Sequence, residues 1–176
     1  MLRRFRKDER GLAALEFALV APLMVMVYLG LSELTLAMMA ERRASHATSV
    51  VADLVAQSSQ IDGNGMTDIF HVADAVLKPY PSNTLKMRVT SVKADANAVP
   101  KVAWSRGDGL PALTKDTVAT AVPAGLLLAQ ESVVMTEMTY TWTSPLQKML
   151  PVPLTFSQTF FLKPRKSSEV SWIGAY

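Results

Sequence analysis

From Phe17 to Ala40 the chain runs for 24 residues with a single charge, Glu33, and beyond Ala40 its apolar positions settle into a helical stripe. At 1.5 Å per residue the first stretch is about 36 Å long, enough to cross a hydrocarbon core of ~30 Å with some tilt. It is apolar all round, whereas a core helix of a small domain keeps a polar face. A secretory signal would have an apolar region of roughly 7–15 residues followed by a small-x-small site. The exit here reads Met38-Met39-Ala40-Glu41-Arg42 and lacks that pattern. The pattern therefore predicts one membrane-spanning helix.

The stripe that follows, Ala44, Ala47, Val51, Leu54 and Val55, has the period of an amphipathic helix, and Ser58, Ser59 and Gly63-Asn64-Gly65 supply a stop. A single helix of about 45 residues, ~68 Å long, is expected to leave the membrane and support a domain beyond it. A second helix is predicted over Thr67–Lys78, with Ile69, Phe70, Ala73, Val76 and Leu77 inward and Pro79 ending it.

Period-two alternation then predicts strands. Leu85, Met87 and Val89 alternate with Lys86, Arg88 and Thr90; Val99–Arg106 carries Val102 and Trp104 ahead of Gly107-Asp108-Gly109, which reads as a hairpin turn. A short helical turn is expected over Ala124–Gln130, and further strands over Ser132–Thr143 and Leu154–Lys163. Pro145 to Pro153 reads as the loop between those last two strands. The fold class expected is α+β: a long amino-terminal transmembrane helix continuing into a pilin-like domain, with an antiparallel sheet of about four strands and short helices on one face. The segments are a basic leader (1–11), the transmembrane helix (12–40), its extension outside the membrane (41–59) and an extracytoplasmic α+β domain (60–176).

Charge placement orients the span. Of 18 Lys+Arg and 15 Asp+Glu, residues 1–10 hold five basic (Arg3, Arg4, Arg6, Lys7, Arg10) and two acidic (Asp8, Glu9), which leaves 13 of each sign from Gly11 onward. The leader thus carries the whole surplus of +3. Five basic residues before the span, against Arg42 and Arg43 just after it, keep the amino terminus cytoplasmic. The carboxy-terminal domain then faces the periplasm of a Gram-negative cell. A neutral domain lacks the concentrated basic face that a nucleic-acid partner requires.

The stretch Arg10-Gly11-Leu12-Ala13-Ala14-Leu15-Glu16-Phe17 places a glycine and then a lone carboxylate at the cytoplasmic edge of the apolar run. A carboxylate buried at mid-membrane costs roughly 2.5–3.5 kcal/mol, less near a helix end. A cut after Gly11 would free an α-amine on Leu12, four residues before Glu16, and so offset that cost. Glycine also allows a protease to approach the extended backbone closely. Without such a cut, Gly11 simply starts the helix and Glu16 sits near its amino-terminal end, where the helix dipole favours anions. Within the span, Pro22 removes one helix hydrogen bond, and Gly30 and Ser32 are small enough for close helix approach. Glu33 lies near the outer boundary, where it either snorkels to the interface or contacts another helix.

Arg10-Gly11, Ala14-Leu15-Glu16-Phe17-Ala18-Leu19, Pro22, Gly30 and Glu33 together resemble the amino-terminal signature of the TadE-like proteins, the pseudopilins of tight-adherence (Tad) pilus systems. The late Phe160-Phe161-Leu162-Lys163-Pro164-Arg165 segment resembles the family more loosely. The resemblance implies cleavage after Gly11 by a prepilin peptidase, with Leu12 as the first and Glu16 as the fifth mature residue, and assigns Glu16 and Phe17 to processing and assembly. It further implies a minor pseudopilin or pilus assembly subunit of an adhesion and secretion system. Such a subunit sits single-pass in the inner membrane and partners lipid, the peptidase, other pseudopilins or the major pilin through transmembrane helices, and the inner-membrane Tad platform. TadE and TadF types both fit.

Candidate chemistry is sparse. There are no cysteines and only two histidines, His46 and His71; His71 with Asp74 at i+3 is half a metal site with nothing to complete it. No serine stands in a Gly-x-Ser-x-Gly turn, no phosphate loop occurs, and Asp62, Asp68 and Asp108 lack calcium-loop spacing. No catalytic residue, metal or cofactor is assigned, and no enzyme activity is expected. Trp172 and Tyr176 are placed either to dock on a partner or to cover the sheet edge. Two rival readings are an uncleaved single-span envelope scaffold or adaptor, and a periplasmic enzyme on a tether with a polar concave site.

Overall fold

The computed structural model describes residues 11–147 and 151–174. Helix α1 runs unbroken over Leu12–Ala56, 45 residues, with Pro22 inside it. It forms because the run contains only one proline and one glycine. It stops where Gln57 and Ser58 fold back, their N–H groups donating to Asp53 and Val55 carbonyls. Ser32, Thr35 and Thr48 satisfy their hydroxyls internally, each donating to the carbonyl four residues earlier at 2.8 Å.

Two compact units divide the chain. The first holds α1 as far as Met38 together with the loop Thr143–Pro153, and the second holds residues 39–142 and the chain from Leu154. In the second unit the predicted stripe is buried: Ala44, Ala47, Val51 and Val55 have no exposed surface, and Leu54 is half-buried.

The expected stop at Gly63-Asn64-Gly65 is instead the first turn of helix α2, Gly63–Leu77. Asp62 caps it, its carboxylate accepting from the Gly65 N–H at 2.8 Å. A good N-cap satisfies an orphan donor, and this outweighs the poor helix propensity of the two glycines. Met66, Phe70, Ala73 and Leu77 form the buried face, while Ile69 and Val76 are half-buried. Pro79 follows the end.

Four antiparallel strands make the sheet: β2 (Leu85–Ala94), β3 (Pro100–Asp108), β4 (Ser132–Trp142) and β5 (Leu154–Leu162), in spatial order β3-β2-β4-β5. The register pairs Met87 with Met138, Ser91 with both Val134 and Trp104, and Tyr140 with Phe156, so these side chains share one face. That face meets the helices: Ser45 of α1 donates to Gln158 of β5 at 2.9 Å, and Phe70 of α2 lines a groove with Arg106 of β3. On the other face Val92, Ala94, Val102, Val133 and Met135 form a core roofed by Ala119, Val122 and Leu127 from the long β3–β4 connection. Because both faces are covered, β2 and β4 are buried on consecutive residues and do not alternate cleanly.

Two sequence expectations are corrected. Gly107-Asp108-Gly109 is not the hairpin turn: Gly107 and Asp108 remain in β3, and Gly109, at φ 72°, bridges back to Met87. The β2–β3 turn is Asp95 to Val99, where the Asp95 carboxylate accepts from the Asn97 and Val99 N–H groups at 2.8 and 3.0 Å and Ala98 adopts φ 60°. The short helix expected over Ala124–Gln130 is a series of turns, since Gly125 (φ 81°) and Gln130 (φ 66°) break the right-handed path. A pairing the sequence did not announce joins β1 (Gln60–Ile61) in parallel to β6 (Ser171–Trp172).

Candidate functional site

The candidate site is the amino-terminal part of α1, and its geometry is set by where the helix begins. Leu12 is the first helical residue and Gly11 lies just before it. A side chain added at Gly11 would meet nothing within 4 Å, and its backbone is not left-handed, so the fold itself places no demand for glycine there. Glu16 follows Leu12 at i+4, on the same helix face, and both are exposed, as is Phe17 at 74 %.

Exposure of large apolar side chains continues without a break through Leu19, Leu23, Val27 and Leu31. Among the described residues α1 is the one helix long and apolar enough to cross a membrane, and none of its most apolar 18-residue window is buried against the chain. A core helix would be covered there. Pro22 is accommodated without ending the helix, and its missing N–H leaves the Ala18 carbonyl without an intrahelical partner.

Glu33 has 0 % of its surface exposed and has an interaction partner within the chain. Its neighbour on the stripe, Ala37, is buried too, and so is Ser144 of the loop in the same unit. Glu33 is therefore a covered carboxylate rather than one reaching out to an interface. The basic leader, Lys148 and Tyr176 lie outside the described residues.

The domain carries several surface clefts. One of about 470 Å³ is lined by Lys93, Asp95, Lys101, Lys115, Asp116, Glu169, Trp104 and Trp172. Four of its six charges are tied to each other: Lys93 to Glu169 at 2.7 Å and Lys101 to Asp95 at 3.3 Å. Backbone N–H groups of Val99 and Asn97 hold the Asp95 carboxyl below the usual carboxylate range, with Lys101 adding to the effect. Trp172 packs on Trp104 with ring centroids 5.5 Å apart, under the Arg106 guanidinium at 4.2 Å, so it is used within its own domain. Trp104 donates to the Val170 carbonyl at 2.6 Å and anchors the carboxy-terminal segment to β3. His71 stands 3.8 Å from Asp74, and the described residues contain no cluster of three or more potential metal ligands.

No curated protein and no solved structure matches the chain. Residues 11–53 match the family model described as TadE-like protein. The match opens on Gly11 itself and ends inside the buried stripe of α1, so it is residues 11–53 that are similar to the TadE-like family.

Proposed function

We propose that this chain is a minor pseudopilin or pilus assembly subunit of a Tad-type adhesion and secretion system. It is held by α1 in the inner membrane, amino terminus inside and α+β domain in the periplasm, and is trimmed after Gly11 by a prepilin peptidase. The observation that carries the reading is the coincidence of two boundaries at one peptide bond, beside a glycine that the fold does not require. The family match begins at Gly11, the helix begins at Leu12, and the glycine answers to nothing in the fold. A residue that the folded chain does not need in that form is explained by something that acts on it from outside.

The energetic logic is lateral. Cleavage removes the leader's charge surplus and leaves a new amine on Leu12 with Glu16 four residues away. α1 then exchanges lipid for the helices of neighbouring pseudopilins or the major pilin, with Glu16 meeting the Leu12 amine of its own or the next chain, and the Tad platform drives the exchange. No enzymatic role is included in this reading. Replacing Gly11 by Leu tests the reading in the native cell. The unprocessed chain should migrate more slowly because the basic leader stays attached; an unchanged band would refute processing at this bond.

A further inference from the structure

We propose that the groove between α1 and β5 binds the headgroup of phosphatidylethanolamine, a phosphate ester carrying a primary ammonium, in the outer leaflet of the membrane that α1 crosses. This rests on the membrane reading of α1. The groove measures about 470 Å³, and its walls include Glu41, Arg42, Ser45 and His46 of α1 with Gln158 and Phe160 of β5, all within the second unit.

The position along the helix is that of headgroups. Met39 is the last exposed large apolar side chain of α1. Glu41 and Arg42 follow two and three residues later, about 3–5 Å further along the axis. Headgroups fill roughly 5–8 Å on each side of the hydrocarbon core, so both charges stand among them.

The chemistry selects a zwitterion. The Gln158 amide accepts from the Ser45 hydroxyl at 2.9 Å and donates to the Glu41 carboxylate at 3.4 Å, which anchors that carboxylate at the groove. Arg42 and His46 are exposed and, among the described residues, make no hydrogen bond or ion pair within the chain. An anchored acceptor thus stands beside a guanidinium whose donors are free. A phosphate on Arg42 with an ammonium on Glu41 satisfies both through charge-assisted hydrogen bonds. Phosphatidylglycerol brings only the anion and sets it against Glu41. The quaternary ammonium of phosphatidylcholine has no N–H to donate to that carboxylate.

Native mass spectrometry of the full-length protein, released from detergent micelles with these lipids added at equal concentration, tests the site. Phosphatidylethanolamine adducts should exceed phosphatidylcholine adducts. Glu41→Gln and Arg42→Gln should each lower them about two- to fivefold, the range for one exposed ion pair. Arg43→Gln removes the same charge one residue on, outside the groove, and should leave them unchanged. Equal loss in R42Q and R43Q, or no loss in either groove variant, overturns the headgroup site. Phosphatidylglycerol adducts that outlast phosphatidylethanolamine and fall in R42Q make the occupant an anionic lipid and overturn it too. Free phosphoethanolamine at the lipid's concentration should not displace the adduct; displacement would make the ligand a soluble ester and not a lipid. A chain that stays in solution without detergent overturns the membrane reading and this proposal with it.

Discussion

Leu12 and Glu16 stand one helical turn apart on the same face of α1, both exposed, with Leu12 as the helix's first residue. At ~1.5 Å of rise per residue the carboxylate is about 6 Å along the axis from the position a freed amine would occupy. Glu16→Ala should leave membrane insertion intact, because it removes a charge from an apolar segment, while weakening lateral assembly. Carbonate extraction and in-cell cross-linking separate the two: retained pelleting with reduced cross-linked oligomer is expected. Loss of insertion would remove the carboxylate from its assigned role.

Gly107 is demanded by the fold in a way that Gly11 is not. A side-chain carbon there would meet the Leu110 backbone carbonyl oxygen at 1.9 Å. Gly107→Ala should cost about 1–3 kcal/mol, the range for overpacking, read as a lower melting temperature of the detergent-solubilised protein. Gly63→Ala is the contrast, since nothing lies within 4 Å of the added carbon at this first residue of α2, and its melting temperature should hold or rise.

Arg88 and Glu137 face each other directly across β2 and β4 and make two hydrogen bonds of 2.7 Å, with Arg88 also donating to the Pro111 carbonyl at 2.9 Å. Both side chains are mostly covered, so the pair is stronger than a surface ion pair. Arg88→Met should destabilise by about 1.5–3 kcal/mol in denaturant titration, because Glu137 and the Pro111 carbonyl lose their donor. The double variant with Glu137→Leu should recover part of that loss; a double variant as unstable as the sum of both singles would deny the coupling.

Two carboxyls give the domain an acid dependence of defined sign. Backbone N–H groups of Val99 and Asn97 hold Asp95 below its ordinary value of 3.8, and the Leu128 N–H with Lys163 holds Glu131 below 4.5. A depressed folded-state value means that the stabilisation is present above the unfolded value and disappears as pH falls through the folded one. Thermal stability should therefore be flat near neutrality and decline in acid below those ordinary values. Asp95→Asn, which keeps an acceptor oxygen but does not titrate, should make the acid decline shallower.

The long helix, its buried stripe and four strands were legible because each rests on a local period: an uninterrupted apolar run, Ala44-Ala47-Val51-Val55, and the alternations around Met87 and Met138. What failed was punctuation. Gly63 and Gly65 read as a break until Asp62 is seen capping them, and Gly107-Asp108-Gly109 reads as a turn until Asp95 is seen making the real one. In both places an Asp side chain, whose preference depends on which N–H groups come within reach, decided the outcome over glycine's freedom. The β1–β6 pair depends on contacts far apart in sequence and leaves no local trace. Gly11, Leu12, Glu16 and Phe17 stand inside the matched residues 11–53, and the roles proposed for them rest on their pattern in the sequence and not on contacts within the fold.

The mass of the amino-terminal peptide of the protein purified from its native membrane tests the central claim most directly. A chain beginning at Leu12 is the predicted result; one still beginning at Met1 or Leu2 would make this an uncleaved anchor and contradict the account.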